Sequence, residues 1–215
     1  MVQPTIACYH DRGEAGSVLA TKLMGYAGQN VAVLGVGAGG VAVAAPIARA
    51  LGADLDVLAV RGLTLPGQPD QMWGAAAALG KYVQIVAEQG SGHRFAKAER
   101  GNVSERDLAE LRHLEDIYRA GRPPERVSGR LVIVVADGLT DLTVMNAAVS
   151  AVRRHHPARV VFALPAGTTQ RCRELGRVAD EVICPMISGL LRMASPVYSD
   201  QASIGVDDVR HLLSA

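Results

Sequence analysis

The sequence predicts an α/β protein built on an open parallel sheet of about five strands with helices on both faces. Three observations carry that expectation. The β-branched run Leu131-Val-Ile-Val-Val-Ala136 stops at Asp137-Gly138 and restarts as an Ala-rich segment with helical spacing through Ala148, which reads as strand, loop, helix. Val31-Ala-Val-Leu-Gly-Val36 opens a second unit of the same kind, closed by a strand at 55–60. Roughly a dozen helical residues between two such strands make them parallel, joined by a right-handed crossover. Finally, the 215 residues are 49% hydrophobic but only 4% aromatic, which points to one domain over residues 1–215 with a core of Ala, Val and Leu.

In chain order, an amphipathic helix is expected between His10 and Gly28, where Ala15, Val18, Leu19 and Leu23 share a face and Asp11 and Glu14 sit at its positive end. After the 31–36 strand, Gly37, Ala38, Gly39 and Gly40 form a turn, and a helix runs from Val41 to Leu51 with Gly52 as its C-cap. Residues 61–70, Arg-Gly-Leu-Thr-Leu-Pro-Gly-Gln-Pro-Asp, are expected to form a loop at the same sheet edge. Periodicity is poor from Trp73 to Gly101. Within it Tyr82-Val-Gln-Ile-Val86 suits a strand of a small antiparallel excursion, with a flexible tip at Gly90-Ser-Gly92. Ser104-Glu-Arg-Asp107 matches a capping box, and Leu108, Leu111, Leu114 and Ile117 form a helical stripe whose charged neighbours read as a solvated face. Beyond the 131–148 unit the alternation continues with a strand at 159–164, a helix near 168–175, a strand at 181–184 and a terminal helix from Val206 to Leu213.

Charge and cysteine usage narrow the function classes. Twenty-two basic against 21 acidic residues give no field that would gather nucleic acid or an anionic membrane. Cys8, Cys172 and Cys184 are odd in number and far apart in sequence, which fits reduced thiols of a cytoplasmic protein better than disulfides or zinc, with Cys184 a core residue. The six histidines share no metal-ligand spacing, so no direct metal site is expected. Neither a basic-then-apolar leader nor a membrane-length apolar run is present in the sequence.

Chemistry is therefore sought at the carboxyl ends of the strands, where helix N-termini offer unpaired N–H groups to anions. Gly35-Val-Gly-Ala-Gly-Gly40 matches the Gly-x-Gly-x-x-Gly of dinucleotide sites. The acidic residue that would hold a ribose at the end of the next strand is missing, because Asp54 and Asp56 open that strand and Arg61 follows it. An NAD(P)-binding enzyme using Gly35 to Gly40 is thus an alternative that would need Arg61 on a 2′-phosphate.

The segment from Leu131 to Ala148 resembles the phosphoribosyl pyrophosphate (PRPP) loop of type I phosphoribosyltransferases: an apolar strand, two acids, a spacer, then Thr-Gly-x-Thr/Ser. Asp137 falls on the second acid and Gly138-Leu139 on the spacer, while Ala136, Asp141, Leu142 and Val144 stand where the family has its first acid, first Thr, Gly and last hydroxyl residue. Two further stretches are similar to a subgroup of predicted bacterial members, namely Asp11-Arg-x-x-Ala-Gly near the start and Pro66-Gly-x-Pro-Asp70. The subgroup's pyrophosphate loop, Pro-Arg-Gly-Gly, is Gly37-Ala38-Gly39-Gly40 here, and its Val-Arg-Lys is Val60-Arg61-Gly62.

The resemblance implies a small irregular hood, built from residues 65–100 and the chain's end, over the parallel sheet. It implies transfer of phosphoribosyl from PRPP to a nitrogen nucleophile with release of pyrophosphate, with Mg²⁺ accompanying PRPP. In that reading Asp137 is the catalytic and ribose-holding acid, Gly138, Thr140, Asp141 and Thr143 line the ribose and 5′-phosphate, and Gly37, Ala38, Gly39, Gly40 and Arg61 take the pyrophosphate. The implied partners are a small phosphate or nucleotide ligand and a second copy in a homodimer. A non-catalytic binding or regulatory descendant is the competing reading, since cations and phosphate-cradling residues of the family are replaced. Residue by residue, simpler roles also stand: tight packing for Gly39 and Gly40, an N-cap for Asp137, and a sheet-edge ion pair for Arg61.

Overall fold

A computed structural model describes residues 9–65, 68–88, 105–138, 140–187 and 197–215. Its elements are α1 (Arg12–Leu23), a 3₁₀ turn (Met24–Tyr26), β1 (Val31–Val36), α2 (Gly37–Leu51), β2 (Asp54–Leu65), β3 (Gln68–Leu79), β4 (Tyr82–Ala87) and α3 (Glu105–Arg119). They are followed by β5 (Leu131–Val135), α4 (Leu142–Arg153), β6 (Arg159–Ala163), β7 (Ala166–Gly167), α5 (Thr169–Leu175), β8 (Glu181–Ile183), β9 (Met186–Ile187) and α6 (Val206–Ser214).

Seven strands form the main sheet in the order β4-β3-β2-β1-β5-β6-β8. The five from β2 to β8 are parallel, as expected from the crossovers, and β3 and β4 add an antiparallel edge. The sheet is thus larger than the expected five strands. Residues 61–65 are not a loop but the second half of β2, and Gln68 to Leu79 run back beside them. Within the region read as an irregular hood, Leu65, Gln68–Leu79 and Tyr82–Ala87 therefore extend the sheet. Its Ala75 to Ala78 run is buried because helices cover it from both sides, a tertiary effect that overrides alanine's weak strand preference. The Gly90-Ser-Gly92 tip and Ser104 of the capping box lie outside the described residues.

Alternation of side chains along the strands divides the core into layers. Val132 and Val134 of β5, with Val160 and Phe162 of β6, pack under Met145, Ala148, Val149 and Val152 of α4. On the opposite face Val31, Val33, Ile133 and Val135 meet Leu19 and Leu23 of α1 and Val43, Ile47 and Leu51 of α2. Each fully buried Val, Leu, Ile or Met contributes about 1.5–3 kcal/mol, so these two layers fix the strand ends in space. Leu111 of α3 and Leu213 of α6 continue the second face over β2.

The charged side of α3 is solvated at Glu105, Arg106 and Asp116, as expected, but not at Glu115 and Arg119. Arg119, Asp56 and Glu115 are only 3%, 3% and 5% exposed. Arg119 Nε donates to Asp56 Oδ1 at 2.9 Å, Nη1 pairs with Glu115, and Nη2 donates to the Val57 carbonyl at 2.7 Å. The cluster is satisfied because the Val57 and Glu125 amides complete Asp56 and the Gly80 amide completes Glu115, which is the condition for burying charge.

Candidate functional site

Register fixes the site. Val36 of β1 lies beside Leu58 of β2, and Gly35 beside Val135 of β5, so the segments that follow β1 and β5 leave the sheet at one edge, side by side. The Gly37 to Gly40 stretch is not a separate turn: helix α2 begins at Gly37, and its N-cap, Val36, provides no side-chain cap. Unpaired N–H groups and the positive end of the helix dipole therefore face this edge. Gly40 is required for packing, since a Cβ there would stand 2.6 Å from the Val135 carbonyl oxygen. Gly39 is different. A Cβ on it would collide with Asp137 Oδ2, with Asp137 Cγ 3.1 Å away, so the missing side chain is the room that the carboxylate occupies.

Asp137 itself is buried, two residues past β5. Thr140 donates to its Oδ1 through the amide at 3.2 Å and the hydroxyl at 2.9 Å, and Arg12 Nη2 stands 3.4 Å from Oδ2. It does not cap α4. That role belongs to Asp141, whose Oδ1 accepts the Thr143 amide at 2.7 Å. Gly138 has φ of 82°, and a Cβ there would be 3.2 Å from the Ala166 carbonyl oxygen, so glycine is needed for both conformation and space. Thr143 is buried in the first turn of α4, and Leu139 lies outside the described residues.

Arg61 is close in chain to the corner but committed elsewhere. Its Nη2 is 2.6 Å from Glu110 Oε2, and its Nε is 3.4 Å from Asp107 Oδ1, the second an ion pair by separation without hydrogen-bond geometry. The structure thus sets Gly39 of α2 against Asp137, which Thr140 holds, and ties Arg61 to α3.

Three residues that the sequence did not assign complete the corner. Arg12, at the start of α1 behind its N-cap Asp11, reaches Asp137, donates from Nη1 to the Ala202 carbonyl at 3.1 Å and lies 5.0 Å over the Tyr198 ring. Tyr198 donates its hydroxyl to the Asp137 carbonyl at 2.6 Å. Burial first, then the neighbouring Asp137 charge, push that phenol far above its ordinary value, so it stays a donor throughout the working range. Arg171 of α5 donates to the Gly138 carbonyl at 3.1 Å. The one sequence signal for any of these was the Asp11-Arg-x-x-Ala-Gly resemblance, which carried no stated role. Beneath the corner, Cys172 and Cys184 are neighbours, and burial followed by Cys172 raises the Cys184 thiol well above its ordinary value.

Among the described residues no three His, Cys, Asp or Glu side chains gather into a metal-binding group, and no helix is long and apolar enough to cross a membrane. Asp137 is the buried carboxylate of the corner.

No family model matches the chain. Two Mycobacterium tuberculosis proteins, from strains CDC 1551 and H37Rv, each named "Putative phosphoribosyl transferase", are 33% identical to it over 201 residues, 94% of this chain and 45% of theirs. The chain spans about half the length of these curated relatives. A crystal structure of TT1426 from Thermus thermophilus superposes with a TM-score of 0.74 at 31% identity, covering 96% of this chain and 98% of that one. Likeness of sequence and fold over nearly the whole of this chain, with curated relatives named putative phosphoribosyl transferases, shows that the chain belongs to the type I phosphoribosyltransferase-like family.

Proposed function

We propose that the corner binds PRPP, carried with Mg²⁺, and transfers its phosphoribosyl group to a nitrogen nucleophile. The observation that carries this reading is the fit of the Asp137 carboxylate into the space left by Gly39. It sets a ribose-holding acid against an uncapped helix N-terminus, as one ligand with a ribose and an adjoining diphosphate requires. In the reaction the nucleophile's lone pair forms a bond to ribose C1 while the C1–O bond breaks, and pyrophosphate leaves with that electron pair. Positive charge develops on the ribose ring, beside the buried Asp137 carboxylate that stabilises it. Bound Mg²⁺ would neutralise charge on the leaving diphosphate. The α2 amides would hold the same group, and Thr140 keeps Asp137 in place. Incubation with PRPP, Mg²⁺ and a panel of nitrogen bases should release pyrophosphate, and Asp137→Asn should abolish that release; release unchanged in Asp137→Asn would overturn the assignment.

One observation favours a second reading, a descendant that binds ligand without turning it over. Asp141 places its carboxylate on the α4 amide, at the helix N-terminus that the family resemblance gives to the 5′-phosphate. Saturable PRPP binding without pyrophosphate release from any base would support it. A homodimeric, cytoplasmic protein belongs to the same proposal, and sedimentation tests the first part.

A further inference from the structure

The resemblance left the diphosphate without a cation, because Ala38 and Gly62 occupy positions where the subgroup has Arg and Lys. Yet a guanidinium stands in the corner. Arg12 comes from a different element, α1, and its side chain is only 14% exposed. Its Nε–H is buried and has no hydrogen-bond partner, and the position that a Gly39 Cβ would take lies 3.3 Å from that nitrogen. An orphaned buried donor is costly unless something fills it. The contact with Asp137, at 3.4 Å, is longer than the roughly 2.7–3.2 Å of a good hydrogen bond. Five N–H groups are available to a guanidinium, and the described contacts engage Nη1 with the Ala202 carbonyl and Nη2 with Asp137. The guanidinium carbon lies 5.0 Å from the centroid of the Tyr198 ring.

We propose that Arg12 is the cation that holds the substrate's diphosphate, in place of the two charges missing from the loops. The inference rests on the function proposed above and names a residue for it. A fixed, planar fork beside the α2 N-terminus matches the paired oxygens of a diphosphate, which a point charge matches less well. The long contact to Asp137 fits that role, since it leaves N–H groups of Arg12 that the described hydrogen bonds to Ala202 and Asp137 do not use.

Calorimetric titration of PRPP, inorganic pyrophosphate and ribose 5-phosphate, each with Mg²⁺, separates the possibilities. Arg12→Gln should weaken PRPP and pyrophosphate by about tenfold or more, the worth of one charge-assisted contact. Ribose 5-phosphate lacks the diphosphate and should change by less than about threefold. Arg12→Lys should fall between, and it carries the comparison if Arg12→Gln melts at a much lower temperature than the parent. Equal weakening of all three ligands would mark Arg12 as structural support for Asp137 and overturn the inference, as would unchanged PRPP binding in both variants. A parent protein that binds none of the ligands would instead overturn the function on which the inference rests.

Discussion

At the residue scale, one carboxylate and one absent side chain carry the account, and each can be changed alone. Gly39→Ala should lower stability by a few kcal/mol at most, because the roughly 1 kcal/mol that alanine gains in a helix partly offsets displacement of the buried Asp137 carboxylate. It should nonetheless remove ligand binding, since its Cβ would displace Asp137 Oδ2; a thermal melt beside a PRPP titration checks both halves. Tyr198→Phe deletes the hydroxyl that donates to the Asp137 carbonyl. Loss of one buried hydrogen bond should cost about 1 kcal/mol in chemical denaturation, with PRPP affinity falling as the loop loosens. Asp141→Asn keeps a side chain that caps helices well and removes the charge. An ionised carboxylate about 4 Å from a phosphate is repelled by roughly 4 kcal/mol per unit charge at an intermediate dielectric. Even heavily reduced by solvent, that predicts at least about tenfold tighter PRPP binding with little change in melting temperature; unchanged or weaker binding would show that Asp141 does not compete with phosphate.

At the element scale, the strand-loop-helix units around Asp137 and Gly37 were legible because their patterns are local: β-branched runs stop at glycine or aspartate and apolar helical spacing resumes. The β2–β3 hairpin was not, because Pro66 and Gly67 punctuate it and an all-alanine stretch has no period to read. Nor was Arg12, whose partner Asp137 lies 125 residues away. Helix α3 misled for the same reason, since nothing local says that Arg119 will meet Asp56 across 63 positions. That cluster pins α3 to the sheet. Arg119→Met should destabilise the protein by about 3–5 kcal/mol by leaving the buried Asp56 carboxylate without its cation, since Glu115 keeps Arg112 at 2.9 Å, whereas replacing Asp56 and Arg119 together with apolar residues of similar volume should cost less; equal losses in the two variants, measured by denaturation, would contradict the clamp. The same scale governs the dinucleotide alternative. β2 carries Val60 and Arg61 where a ribose-binding acid is needed, and Arg61 is held by Asp107 and Glu110, so NAD and NADP should give no saturable binding at millimolar concentration.

At the scale of the whole molecule, a five-stranded parallel core with an antiparallel edge brings α1, α2, the β5–α4 loop and the segment around Tyr198 to one corner. The proposed function depends on whether that corner accepts a ribose bearing a diphosphate. The curated relatives are more than twice as long as the matched segment, so the test belongs on this chain by itself. Titration of PRPP by calorimetry, with and without Mg²⁺, is the most direct measurement. The account predicts one saturable site per chain that tightens with Mg²⁺ and disappears in Gly39→Ala. No saturable heat up to millimolar PRPP in either condition, or binding that survives Gly39→Ala, would contradict it.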